Sequence, residues 1–193
     1  MSPLGRPPDD LSRFPAFDLR RRDRLYRLHR SDVGPWWFSS DGSGRFDLRE
    51  SDHGTCYLAV SAVGAFIEVF RVATVIPEAE VEARSLSTLA PPKRVNLADC
   101  TVSAARKFGI TGAVHTQPDY ALPQAWAAAL AAAGFGGIRY RLSHDPAQKE
   151  LGVALFGAAG QQSLPLRRTE TVPPAAVEEA RQRFGLVVAP TPG

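Results

Sequence analysis

Short strand-like and helix-like stretches follow one another along this chain without regular alternation, and that order constrains its fold most. Sixteen glycines and sixteen prolines among 193 residues keep the stretches short and imply many defined turns. Residues 25–30 (LYRLHR) alternate Leu25, Arg27 and His29 with Tyr26, Leu28 and Arg30, which predicts a first strand. Residues 55–60 (TCYLAV) predict a short buried strand, and 61–72 (SAVGAFIEVFRV) a helix capped by Ser61. In that helix Ala62, Ala65, Phe66, Val69 and Ala73 fall on one apolar stripe. Residues 81–89 alternate weakly as a further strand, and 99–108 predict a helix capped by Asp99 or Thr101 and closed at Gly109. The clearest helix is 118–134, with Pro123 in its first turn and Gly134 at its left-handed end. Strands at 137–143 and 152–156 and a helix at 173–184 complete the pattern. A doubly wound sheet needs regular strand–helix–strand units, so this mixture predicts one compact α+β domain.

The ends of that domain follow from charge and proline. Residues 1–23 carry Pro3, Pro7, Pro8 and Pro15 among mixed charges, and predict an extended or poorly ordered arm ahead of a domain over 24–193. Residues 1–30 hold eight Arg and four Asp, while the rest of the chain holds fifteen basic and sixteen acidic groups. The positive surplus therefore sits in a leader, whereas a duplex-binding protein wants it on a folded face. No run of eighteen apolar residues occurs, so no membrane span is expected. The N-terminus lacks the apolar core of a secretory signal, which reads as a cytoplasmic protein. Cys56 and Cys100 are too few for a disulfide framework or a cysteine-based zinc site.

Most standard catalytic patterns are missing. The sequence has no GxSxG, Walker A, GxGxxG or HExxH, and His29, His53, His115 and His144 never fall at metal-ligand spacing on one element. Ser143-His144-Asp145 has triad residue types, but adjacent side chains cannot form a relay. Glu68 is more informative. Gly64 and Ser61 precede it on its own helix face, and helical side chains lean toward the preceding turn. Small residues there leave a hollow in which a carboxylate can stabilise a developing cation; the competing reading is a solvated helix stripe. Arg27 and Arg45 suit a phosphate or pyrophosphate through their planar forks, or are surface arginines. Trp36 and Trp37 form an aromatic wall for a base or nicotinamide ring, or pack in the core.

Taken in order, these pieces resemble the RES domain, a toxin family named for an Arg, a Glu and a Ser. Leu25-Tyr26-Arg27-Leu28 is similar to its opening strand, and Gly44-Arg45-Phe46-Asp47 to its glycine–arginine–aromatic turn. Gly54-Thr55-Cys56-Tyr57-Leu58-Ala59 and Ala65-Phe66-Ile67-Glu68 resemble the tyrosine strand and glutamate helix. Residues 134–143, ending in Ser143, resemble the late glycine-rich turn and serine strand, and 152–156 the closing strand. The family's usual turn reads glycine-glycine-arginine-tryptophan-asparagine, where this chain has Ser43-Gly44-Arg45-Phe46-Asp47.

The resemblance implies an ADP-ribosyltransferase-like α+β fold with mixed and antiparallel sheets and flanking helices. It implies cleavage of NAD+ as substrate by phosphorolysis, with inorganic phosphate as co-substrate, or by hydrolysis, without a metal. It also implies a helix-turn-helix (Xre-like) antitoxin partner in an oligomeric complex, with no direct nucleic-acid or membrane contact. Arg27, Tyr57, Glu68 and Ser143 are then the expected catalytic residues. Glu68 would stabilise the oxocarbenium-like ribose, Tyr57 would border the nicotinamide, and Ser143 would hold a ribose hydroxyl or orient Glu68. Arg45, Phe46, Trp37 and His144 are the remaining residues expected to contact the dinucleotide. The alternatives are a protein ADP-ribosyltransferase, or an inactive domain that binds a partner through residues 5–24.

Overall fold

The computed structural model describes residues 3–49, 52–71 and 73–190; Met1, Ser2, Glu50, Ser51, Val72 and residues 191–193 lie outside that description. In chain order the elements are β1 (Ala16–Leu19), β2 (Leu25–Arg30), β3 (Trp37–Phe38), β4 (His53–Ala59), α1 (Ala62–Phe70), β5 (Val75–Pro77), α2 (Glu78–Glu82), β6 (Arg84–Leu89) and β7 (Val95–Asp99). A 3₁₀ turn (Ser103–Phe108), α3 (Ala113–Thr116), α4 (Ala121–Ala132), β8 (Gly137–Arg141), β9 (Leu151–Ala158), β10 (Gly160–Gln161), β11 (Leu166–Thr171), α5 (Pro174–Phe184) and β12 (Val187–Ala189) follow. The chain is α+β. Eight strands form one sheet in the order β1-β7-β8-β9-β4-β2-β6-β11, with β7 and β8 parallel and every other neighbouring pair antiparallel. No helix among the described residues is long and apolar enough to cross a membrane.

The sheet is buried on both faces, because alternate residues of a strand point opposite ways. On one face Phe66 and Ile67 of α1 and Trp126 and Leu130 of α4 pack with Leu28, Ala59 and Ile138. On the other, Cys56 and Leu58 join Leu25, Trp36, Phe38, Leu97 and Val153. The strands β4 and β9 are paired along their full length, from His53 opposite Ala158 to Ala59 opposite Gly152. In contrast β2 meets β4 only where Tyr26 faces Ala59. The sheet is therefore split between these two strands.

Several expectations change. The segment before Arg24 is not a separate arm. Leu4, Leu11 and Phe14 are buried, the Trp126 indole donates to the Gly5 carbonyl at 2.8 Å, and β1 pairs with β7. Phe14 sits among Phe108, Trp126 and Phe135, with ring centroids 5.1, 6.2 and 6.0 Å away. Apolar residues widely spaced among charges gave no periodic signal, yet all three join the core, Phe14 against Trp126 of α4. Residues 99–108 split as well: Asp99 ends a strand, and its carboxylate accepts from the Thr101 N–H at 2.9 Å instead of capping a helix. Gly109, at φ +101°, does close the 3₁₀ turn that follows. The start of 81–89 is the end of α2, not a strand.

Candidate active site

The split between β2 and β4 opens into a cleft of about 370 Å³, a size ordinary for small-molecule sites. Tyr26, Arg27 and Leu28 of β2 and Tyr57, Leu58 and Ala59 of β4 form its two edges, and α1 closes one wall with Ala65, Glu68 and Val69. The turn around Gly44 contributes Arg45, and Tyr120, Tyr140, Ser143 and His144 complete the lining. Of the residues expected at the site, Arg27, Arg45, Tyr57, Glu68, Ser143 and His144 are brought together here.

Phe46 and Trp37 are not. Phe46 is fully buried, edge-on to Tyr140 at 5.0 Å between centroids. It follows Arg45 in sequence, but the turn sends one side chain to the cleft and the other to the core. Trp37 lies on β3 opposite Gln161, is 47% exposed and does not line the cleft. Its neighbour Trp36 is the core residue, its indole donating to the Pro165 carbonyl at 3.1 Å.

Ser61 caps α1 as expected, its hydroxyl accepting the Gly64 N–H at 2.9 Å. The space before Glu68 has a different origin from the one inferred from Gly64 and Ser61. A Cβ on Gly64 would lie 2.8 Å from Ser61 Oγ and 3.1 Å from Glu150 Oε2, so that side is already filled. The open space belongs to Ala65 and to the strand split. Glu68 Oε2 is buried without a hydrogen-bond partner among the described residues. Burial raises the Glu68 carboxyl above its ordinary range, and the positive charges of Arg71 and Arg45 only partly oppose this.

Arg71 was not anticipated. It ends α1 at φ +47°, its N–H donating to the Ile67 carbonyl at 2.8 Å, and its side chain reaches the cleft. Such a backbone is costly for a residue with a Cβ, and strain of this kind concentrates at working sites. Arg45 lies 4.7 Å from the Tyr120 ring centroid and donates to the Gln117 carbonyl at 2.7 Å. Arg27 uses one nitrogen, Nη1, on the Pro35 and Trp37 carbonyls at 2.7 and 2.9 Å. Among the described residues, none of Arg27, Arg45 and Arg71 forms an ion pair with a carboxylate. The cleft therefore offers three cations, none in an ion pair among the described residues, around one enclosed carboxylate.

Tyr57 presents its ring, because its hydroxyl is occupied. That hydroxyl donates to Asp47 Oδ1 and accepts the Phe46 N–H, both at 2.8 Å. Burial, then the Asp47 charge, push its pKa up, so it stays a neutral phenol. Asp47 is fully buried and also accepts from the Gly44 N–H at 2.9 Å, so it holds the turn together and is closed to a substrate. Only glycine fits at 44: a Cβ there would lie 2.4 Å from both Asp47 Oδ1 and the Tyr57 hydroxyl. From outside, Gln124 of α4 donates to the Gly42 and Gly44 carbonyls at 2.8 Å each.

Tyr140 is seated by Gly152, where a Cβ would lie 2.5 Å from its ring. Burial and the nearby Glu68 charge raise its pKa well above the phenol value. His144 is pushed down by burial and by Arg71 and Arg45, which favours the neutral imidazole. Among the described residues no group of three or more His, Cys, Asp or Glu could hold a metal ion.

A family model described as the RES domain matches residues 24–174. The fold is similar to that in the crystal structure of the M. tuberculosis MbcT-MbcA toxin-antitoxin complex. The TM-score is 0.63 at 22% identity, and the match covers 86% of this chain and 92% of that chain. No curated protein matches the sequence.

Proposed function

The chain belongs to the RES domain family, and we propose that it is the toxin of a toxin–antitoxin pair that depletes NAD+ by cleaving the nicotinamide–ribose bond. The observation that carries this reading is the enclosed Glu68, its Oε2 unpartnered among the described residues, in a cleft with Arg27, Arg45 and Arg71. Uncompensated arginine forks suit the pyrophosphate of a dinucleotide, or inorganic phosphate. A carboxylate without a protein partner suits ribose hydroxyls and the positive charge that develops as nicotinamide leaves.

In this reading the C–N bond to nicotinamide breaks and its electron pair leaves with the neutral base. Oxygen of phosphate or water then bonds to the ribose carbon. With water as acceptor, a proton is released to solvent; with phosphate, ADP-ribose carries the new ester. The Tyr57 ring borders the leaving base, and Ser143 hydrogen-bonds the ribose or Glu68. The cleft needs no metal for these steps. An antitoxin partner is supported by the fold's likeness to a toxin from a toxin–antitoxin complex. A helix-turn-helix antitoxin covering the cleft, in an oligomeric complex in the cytoplasm, completes the proposal.

Proton NMR of NAD+ incubated with the protein, with and without phosphate, tests the chemistry. Free nicotinamide with ADP-ribose marks hydrolysis, and a phosphate-dependent ester marks phosphorolysis. Transfer of label from NAD+ onto protein would replace this reading with protein ADP-ribosylation. Intact NAD+ at high protein concentration under all conditions would overturn it.

A further inference from the structure

The region matched by the family model ends at residue 174, where α5 begins. One side chain of α5 nevertheless reaches toward the site. Arg183 Nη2 donates to Glu150 Oε1 at 2.5 Å, and the Ser61 hydroxyl donates to Glu150 Oε2 at 2.5 Å. Ser61 Oγ in turn accepts the Gly64 N–H, which fixes the first turn of α1. Glu68 lies four residues further along this helix, about 6 Å of rise. Glu150 itself is buried, and a buried carboxylate needs a cation and hydrogen bonds to remain there. Gly64 allows the approach, since a Cβ would lie 3.1 Å from Glu150 Oε2.

The same residue closes the loop between β8 and β9. Its N–H donates to Asp145 Oδ2 at 2.8 Å, and its carbonyl accepts the Leu142 N–H at 3.0 Å. Asp145 also accepts from the Ala147 and Lys149 N–H groups, at 3.0 and 2.6 Å. Ser143 and His144, both in the cleft, stand inside this closed loop. Glu150 thus joins the helix carrying Glu68, the loop carrying Ser143 and the α5 helix.

We infer that Glu150, held by Arg183, is a positioning residue that fixes the α1 helix and the 142–150 loop in one geometry, and so sets Glu68 against Ser143. It touches neither the cleft nor the substrate. The inference rests on the reading of the cleft as an NAD+-cleaving site. It makes α5, beyond the matched region, part of the working unit.

Arg183 is the residue to change, because its side chain is 37% exposed and its loss opens to water. Arg183→Ala should lower kcat for NAD+ cleavage about tenfold or more, since small misplacements of reacting groups cost that much. KM should change less than about twofold, because the arginines of the cleft are untouched. Arg183→Lys should recover part of kcat, and amide hydrogen exchange at Gly64 and Glu150 should quicken in the alanine variant. Both variants are assayed well below their melting temperatures; if Arg183→Ala does not fold, Arg183→Gln takes its place. A folded variant with the kcat of the parent protein, or with unchanged exchange at Gly64, overturns the inference. Should the parent protein leave NAD+ intact, the functional reading fails while the exchange comparison still decides whether the clamp exists.

Discussion

Replacing Glu68 by glutamine should stabilise the protein and silence it together. Oε2 of Glu68 is buried without a partner among the described residues, and burial outweighs the two arginines that favour its charge. A buried polar group left unsatisfied costs about 1–3 kcal/mol, more when charged. Glutamine keeps the volume and removes the charge but still leaves a polar end unpaired, so a gain of about 1–2 kcal/mol is expected at pH 8. For a domain of this size that is a rise in Tm of roughly 2–8 °C. The sign follows from proton binding. The folded-state pKa of Glu68 lies above its unfolded value, so the folded protein holds this proton more tightly. That contribution is complete below the unfolded carboxylate pKa of about 4.3 and is lost as pH rises through the raised folded value. The parent protein therefore falls behind the variant as pH rises, and the two converge in acid. Thermal melts of both proteins between pH 5 and 8, paired with NAD+ turnover, measure this. Turnover should drop at least about a hundredfold, as when a charge-stabilising group is removed from an active centre. A variant that melts at or below the parent at pH 8, or a gap that does not narrow toward acid, refutes the argument.

Other changes separate the parts of the structure. Phe14→Ala should cost about 3–5 kcal/mol, the usual range for emptying a buried aromatic site, seen as a lower urea midpoint at unchanged slope; a loss under about 1 kcal/mol would return residues 3–23 to the status of a loose arm. Gly44→Ala should destabilise by about 1–3 kcal/mol through overpacking against Asp47 and Tyr57, and should weaken NAD+ binding measured by calorimetry, because Tyr57 must move. Trp37→Ala should leave NAD+ affinity and turnover within about twofold of the parent, the result expected for a side chain outside the substrate site; a larger loss in the same titration would place that ring in the site after all.

Local chemistry was legible in the sequence and long-range placement was not. The Ser61 cap, Pro123 in the first turn of α4 and the left-handed Gly109 and Gly134 all depend on a few neighbouring residues, and all appear. The strand β11 (LRRTET) is mostly exposed and carries no apolar pattern, so only its partner β6 makes it a strand. The same holds for Leu4, Leu11 and Phe14, whose burial is decided by distant core partners. At the site, Arg27, Arg45, Tyr57, Glu68, Ser143 and His144 could be named because each stands in a short recognisable stretch. Tyr26, Arg71, Tyr120 and Tyr140 were missed, since only the packing of β2, the end of α1, the start of α4 and β8 around one cleft brings them together. Phe46, expected at the site from the resemblance of its turn, is in the core instead, although Arg45 beside it does reach the cleft.

The split between β2 and β4 also sets the order in which this protein can assemble. In the sheet β4 lies between β9 and β2, so its edges are completed by strands from opposite ends of the domain. Pairings between distant segments must overcome loop-closure entropy before they return any contact, which makes such sheets slow to form. The opening exists only once β2, β4 and α1 are in place. A half-built chain, or a proteolytic fragment lacking either β2 or β4, has no hollow in which a dinucleotide could lodge. Activity should thus appear only after these distant pairings have formed.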